Sequence, residues 1–171
     1  MFKVIDNFLP KEQFLELQYT YLSNKKFPYY YQDGKDYPVS DKQSKNLLDQ
    51  YQFTHLFFDN LKENSEWYGT LKYILPKLKV SSLTRAKVNL NPINTKLIQG
   101  QFHNDFNYKN NKTAVYYLNS CDGYTIFKKN NKKVYSKENR VVIFNSKELH
   151  AGTNTTNTKV RCVLNINYYE F

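Results

Sequence analysis

From residue 83 onward the apolar residues recur every second position in short runs, and that periodicity constrains the fold more than any other feature. "LTRAKVNLN" alternates, and "TAVYYLN" is β-branched and aromatic. "YTIFKK", "KKVYS", "RVVIFN" and "RCVLNINYYEF" follow at similar spacing, separated by polar turns. A helical stripe needs a period near 3.6, so this half of the chain is expected to be short antiparallel strands. In the last run Arg161, Val163, Asn165 and Asn167 share one strand face, while Cys162, Leu164 and Ile166 share the other. Both faces therefore need cover, the apolar one from helices and the mixed one from a second sheet.

Residues 10–79 have a different pattern, mostly helical. "LPKEQFLELQYTYL" opens with Pro10, and Phe14, Leu17, Tyr21 and Leu22 form one stripe. A second helix is expected within "SKNLLDQYQFTHLFFDNLKEN", and a third in "EWYGTLKYILPKL", where Pro76 should bend or end it. The Tyr-rich segment at 27–38 between the first two is a candidate lid. Helices followed by many strands predict a mainly β fold, an all-β sandwich or a jelly roll (double-stranded β-helix), buttressed by N-terminal helices. We expect one domain over 1–171, with helical support at roughly 1–80 and the jelly-roll core at roughly 81–171.

Composition narrows the function classes. Aromatics at 17% of 171 residues give the chain the means to bury a core, which excludes a disordered chain. The net charge of +10 admits an anionic partner such as nucleic acid, although a solvated basic surface is the favoured reading of it. Its densest cluster, "KKNNKK" at 128–133, is expected at an exposed hairpin tip. Cys121 and Cys162 are too few for a disulfide framework and are expected as free thiols of a reducing compartment. With no signal-peptide pattern and no long apolar run, the expectation is a cytoplasmic protein without a membrane partner.

The chemistry-bearing residues are few. In "GQFHNDFNY", His103 and Asp105 lie two apart, so an extended backbone projects both to one face about 6–7 Å apart. His150 ends "RVVIFNSKELH". Two imidazoles and one carboxylate with open positions form the facial triad of non-haem iron sites. Arg161 follows, after the polar connection "GTNTTNTK". We expect that connection to be a hairpin returning Arg161 beside the strand that ends in His150. A guanidinium facing inward needs an anion: either an internal carboxylate or a bound dicarboxylate. His55, in the apolar run "QFTHLFF", is expected to be structural.

Together these residues resemble the Fe(II)- and 2-oxoglutarate-dependent oxygenases, in particular the prolyl 4-hydroxylase-like branch and its small single-domain members of bacteriophage type. The resemblance spans most of the chain: "FKVIDNFLPKEQF", "RAKVNLNP", "FHND", "YYLN", "DGYTIF", "NRVVIFNSKELHAG" and "RCVLNINYY" occur in the family's order. It implies Fe(II) bound by His103, Asp105 and His150. It also implies 2-oxoglutarate anchored by Arg161 and assisted by Tyr117, with Asn165, Asn91 and Thr125 nearby. O2 would be the co-reactant, succinate and CO2 the co-products, and ascorbate an accessory reductant. The implied substrate is a prolyl residue in a peptide or protein. Oxygenation of nucleic acid or of a small molecule, and a non-catalytic metal-binding jelly roll, stay open as alternatives. A phage-encoded enzyme would act in the host cytoplasm.

Overall fold

The computed structural model describes residues 2–34 and 50–171. It is built on two antiparallel sheets facing each other. The larger contains β1 (Lys3–Ile5), β2 (Tyr30–Asp33), β3 (Tyr51–Asp59), β5 (Val80–Pro92), β6 (Lys112–Tyr117), β9 (Arg140–Asn145) and β11 (Val160–Glu170). They run in the order β1-β9-β6-β11-β5-β3-β2, and the short β4 (Lys62–Glu63) adds to β3. The smaller sheet has the order β10-β7-β8, from His150–Gly152, Tyr124–Phe127 and Lys133–Tyr135. This is the expected mainly β jelly roll.

The alternation in β11 works as its sequence requires. Cys162, Leu164 and Ile166 are fully buried in a core shared with helix α1 (Lys11–Leu22), through Phe14, Leu17 and Tyr21. Burying a leucine as completely as Leu17 is worth roughly 1.5–3 kcal/mol, which seats the helix on the sheet. Val163, on the other face of β11, joins Val115, Phe127, Val142 and Phe144 between the two sheets. That inner core fills only part of the space between them, and polar side chains line the rest.

Three local expectations are corrected. The second expected helix is not formed where it can be seen: Tyr51–Asp59 is strand β3, and residues 44–49 lie outside the described residues. Tyr, Phe and Thr favour a pleated surface, and pairing with β5, Phe53 opposite Leu90 and His55 opposite Val88, decides the matter. The third expected helix splits into a 3-10 turn, Glu66–Lys72, and a single α turn, α2 (Ile74–Lys77). Pro76 has no N–H for the Lys72 carbonyl, and its ring crowds that carbonyl, so a continuous helix cannot pass this point.

The stretch "GTNTTNTK" is not a hairpin either. His150 lies in β10 of the small sheet and Arg161 in β11 of the large one, so the connection crosses between sheets. Its polar side chains hold this crossing in place. Asn154 accepts from the Ile98 N–H at 2.7 Å, and Asp122 accepts from Thr155 Oγ1 at 2.8 Å and from the Thr156 N–H at 2.9 Å.

Two other expectations are met, those for the basic cluster and for the cysteines. "KKNNKK" caps the β7–β8 hairpin and is exposed throughout. Cys121 and Cys162 are free thiols. The Tyr-rich segment divides: Phe27 and Tyr29 pack into the helix-side core, Tyr30–Asp33 is an exposed edge strand, and 35–38 lie outside the described residues. Among the described residues no helix is long and apolar enough to cross a membrane.

Candidate metal centre

His103 and His150 are far apart in sequence and adjacent in space. Their backbones exchange both hydrogen bonds, at 3.0 and 2.9 Å, as an isolated antiparallel bridge between the "FHND" segment and β10. Paired residues in such a bridge project to the same side. Their rings accordingly lie 4.6 Å apart, centre to centre. Asp105 is positioned by its own N–H, which donates to the Ser146 carbonyl at 3.0 Å.

Each imidazole is oriented from behind. Nδ1 of His103 meets the Gln101 carbonyl at 3.0 Å, and Nδ1 of His150 meets the Glu148 carbonyl at 3.0 Å. A carbonyl only accepts, so Nδ1 carries the proton and Nε2 presents its lone pair. Both Nε2 atoms face Asp105, His103 at 4.0 Å from Oδ1 and His150 at 4.0 Å from Oδ2. The three ligand atoms lie within 4.8 Å of one another. Two neutral imidazoles and one carboxylate suit a divalent transition metal such as ferrous iron.

Three donors that the sequence did not reveal hold the carboxylate. Arg85 Nη2 donates to Asp105 Oδ1 at 3.0 Å, while Thr113 Oγ1 and Asn167 Nδ2 donate to Oδ2 at 2.8 and 2.9 Å. Burial alone raises a carboxyl pKa. Here His150 in its protonated form, Arg85 and the two hydrogen bonds outweigh it and hold Asp105 well below the usual carboxylate range, and Arg85 and the hydrogen bonds persist when the imidazole is neutral. Arg85 comes from β5 and Asn167 from β11, where the two residues are register partners. Only the strand alternation of Asn167 and Thr113 hinted at this arrangement.

In the same cavity lies Arg161, 2% exposed. Its Nε donates to Ser136 Oγ at 2.7 Å, Nη1 to the Thr153 carbonyl at 3.1 Å, and Nη2 to Thr125 Oγ1 at 3.2 Å. All three acceptors are neutral. Among the described residues no carboxylate lies within ion-pair distance of this guanidinium, so an internal Arg–Asp or Arg–Glu pair is not observed. Burial lowers the pKa of Arg161, and Tyr117, whose ring lies 5.5 Å from the guanidinium carbon, works in the opposite direction.

Gly123 makes this placement possible. A Cβ there would lie 2.5 Å from Arg161 Cδ and would collide with the Asn154 carbonyl oxygen. The close approach therefore requires glycine, and nothing in the sequence alone singles the position out.

The cavity, about 570 Å³ of empty space including its open mouth, is lined by His103, Asp105 and His150 and by Arg161 and Thr125. Asn91 and Asn165 also line it. Asn91 is the register partner of Arg161. The side-chain oxygens of Asn165 and Asn89 are buried against the cavity, and neither finds a hydrogen-bond partner among the described residues. Such orphaned acceptors, beside an unneutralised cation, characterise a site shaped for a polar occupant. Tyr117 is the exception among the expected site residues. It sits one layer behind the cavity wall and donates its hydroxyl to Thr125 Oγ1 at 2.9 Å. His55 is structural as expected: Nδ1 meets the Pro28 carbonyl at 2.8 Å and Nε2 meets Ser65 Oγ at 2.6 Å.

No protein-family model matches the sequence, and a search of curated proteins finds no match. Solved structures do match. A prolyl hydroxylase from Trichoplax adhaerens, in complex with a hypoxia-inducible-factor peptide fragment, superposes with TM-score 0.67 at 16% identity, covering 99% of this chain and 83% of that one. The viral collagen prolyl hydroxylase of Paramecium Bursaria Chlorella virus-1 gives 0.57 at 13% identity, covering 99% and 96%. The α-ketoglutarate-dependent epimerase SnoN of nogalamycin biosynthesis gives 0.66 at 11% identity, covering 99% and 78%. The chain thus has the jelly-roll fold shared by the iron- and 2-oxoglutarate-dependent oxygenases.

Proposed function

We propose that this protein is an Fe(II)- and 2-oxoglutarate-dependent dioxygenase that hydroxylates a C–H bond, with peptidyl proline as substrate. The observation that carries the reading is the pairing of two features in one cavity. A two-histidine, one-carboxylate cluster and a buried guanidinium with only neutral partners line the same cavity. A metal held for stability alone has no use for the second feature.

In this reading His103, Asp105 and His150 would hold the iron, which when bound would supply the redox chemistry between a 2-oxo acid and O2. Arg161 receives the distal carboxylate of 2-oxoglutarate bidentately, and so orients the cosubstrate along the cavity. Thr125 shares that end, with the Tyr117 hydroxyl fixing its rotamer; Asn91 and Asn165 supply polar contacts along the wall. Arg85, Thr113 and Asn167 keep Asp105 anionic and aimed. The inner core of Val115, Val163 and Phe144 limits water around the reacting groups.

Proline is the favoured substrate because prolyl hydroxylases stand among the structural matches, one with a peptide bound; SnoN, described as an epimerase, shows that the same fold serves other chemistry. The free thiols of Cys121 and Cys162 suit a reducing compartment, which is where we place the reaction.

The test has two parts. Anaerobic addition of 2-oxoglutarate to the Fe(II)-loaded protein should give a visible charge-transfer band; its absence overturns the class. Succinate formation in air should then rise with proline-containing peptides. Equal turnover with and without proline removes the substrate assignment and leaves the class standing.

A further inference from the structure

The register of the small sheet orders the residues along one wall of the cavity. Thr125 pairs with Gly152 at the level of Arg161, and Phe127 pairs with His150 at the level of the metal ligands. Continuing in the same direction, both chains leave the cavity on the side away from Arg161. Lys128 follows Phe127, its N–H bonded to the Leu149 carbonyl at 2.9 Å. The hairpin tip and the β9–β10 turn thus lie next to the metal-ligand candidates along the sheet.

This region is strongly cationic. Lys128, Lys129 and Lys147, with Asn145, Glu148 and Leu149, line one open groove, and Lys132 and Lys133 complete the exposed tip beside it. Glu148 is the one acidic residue in the groove lining. Leu149 is 42% exposed and gives the groove an aliphatic floor. Lys128 lies over the ring of Phe102, the residue before His103, with Nζ 5.9 Å from the ring centre, which ties the groove to the metal-bearing segment.

We propose that this groove docks the acidic flank of a polypeptide substrate while the residue to be oxidised sits at the metal. This rests on the peptidyl-substrate reading above and adds a sequence requirement to it. At about 3.3 Å per extended residue, the lysines reach acidic side chains roughly two to four positions from the oxidised residue. A peptide is favoured over single-stranded nucleic acid because the exposed apolar contact in the groove is Leu149. An aliphatic side chain gives a base no stacking face.

Fluorescence anisotropy of short labelled peptides with the Fe(II)- and 2-oxoglutarate-loaded protein, without oxygen, tests this. The probes are a proline-centred peptide with three flanking glutamates, its glutamine counterpart, and an alanine-centred peptide with the glutamates kept. The glutamate peptide should bind roughly tenfold tighter than the glutamine one at low salt, with the difference closing at high salt. A K128E/K129E/K147E variant should abolish that difference, and a K128Q/K129Q/K147Q variant should reduce it, both with an unchanged thermal midpoint. Equal binding of the two proline peptides, or a preference that survives charge reversal, overturns the groove. A salt-sensitive preference for the alanine-centred acidic peptide supports the groove while removing the proline assignment. A single-stranded oligonucleotide that outcompetes the acidic peptide at matched salt overturns the choice of partner.

Discussion

Replacing Arg161 with methionine separates cosubstrate binding from folding. The side chain is 2% exposed and bonded to Ser136, Thr153 and Thr125, none of them charged. Methionine keeps much of the volume and removes a buried cation that no carboxylate neutralises, together with its three hydrogen bonds. The cation's desolvation cost, relieved by the exchange, offsets much of what its three hydrogen bonds contribute, so the ligand-free midpoint should move by only a few degrees. Cosubstrate binding should collapse. Two charge-assisted hydrogen bonds to a carboxylate are worth about 1.5–3 kcal/mol each, so their loss weakens 2-oxoglutarate by roughly 10²–10⁴-fold.

The assay is thermal unfolding of the metal-loaded protein with and without 2-oxoglutarate. At a hundred times its dissociation constant, a ligand stabilises the native state by about 2.7 kcal/mol. For a chain of this size that raises the midpoint by roughly 5–10 °C. In the Arg161→Met protein, at the same concentration, the rise should shrink to about 1 °C or less. A variant that keeps the full ligand-induced rise refutes the reasoning. Arg161 would then be a buried structural cation, and the dicarboxylate would bind elsewhere.

Gly123→Ala should reach the same endpoint sterically, because the added methyl displaces the Arg161 side chain. Calorimetry should show weaker 2-oxoglutarate binding with metal affinity retained. Asn167→Ala removes one donor to Asp105 Oδ2 without changing the site's charge, and should cost roughly 10–100-fold in metal affinity by competition with a chromogenic chelator. Asp105→Ala should lose stoichiometric metal outright. His55 predicts a pH effect on stability away from the metal: burial lowers its pKa from 6.5, the Pro28 carbonyl only partly offsetting this, so the folded state prefers the neutral ring. Stability should be full above pH 6.5 and fall as the pH drops toward the depressed folded value. Denaturant titrations of wild type and His55→Gln across that range should show the slope weaken in the variant.

Sequence periodicity alone determined the β11 faces, the run of short strands, the helix at Lys11–Leu22 and the inward direction of Arg161, because a period is a local property that survives into any tertiary setting. The His-x-Asp spacing of His103 and Asp105 is local in the same sense, and so was legible. Tertiary structure decided the rest. Tyr51–Asp59 is apolar enough for either period, and only its pairing with β5 makes it a strand. The connection before Arg161 crosses between sheets rather than folding back, because its side chains bond to Asp122 and Ile98, far along the chain. Arg85 on Asp105, the His103–His150 bridge and the contact that reserves position 123 for glycine each join distant segments within a few ångströms. Such proximities arise when two sheets close over a shared interior, and no spacing along a single strand encodes them.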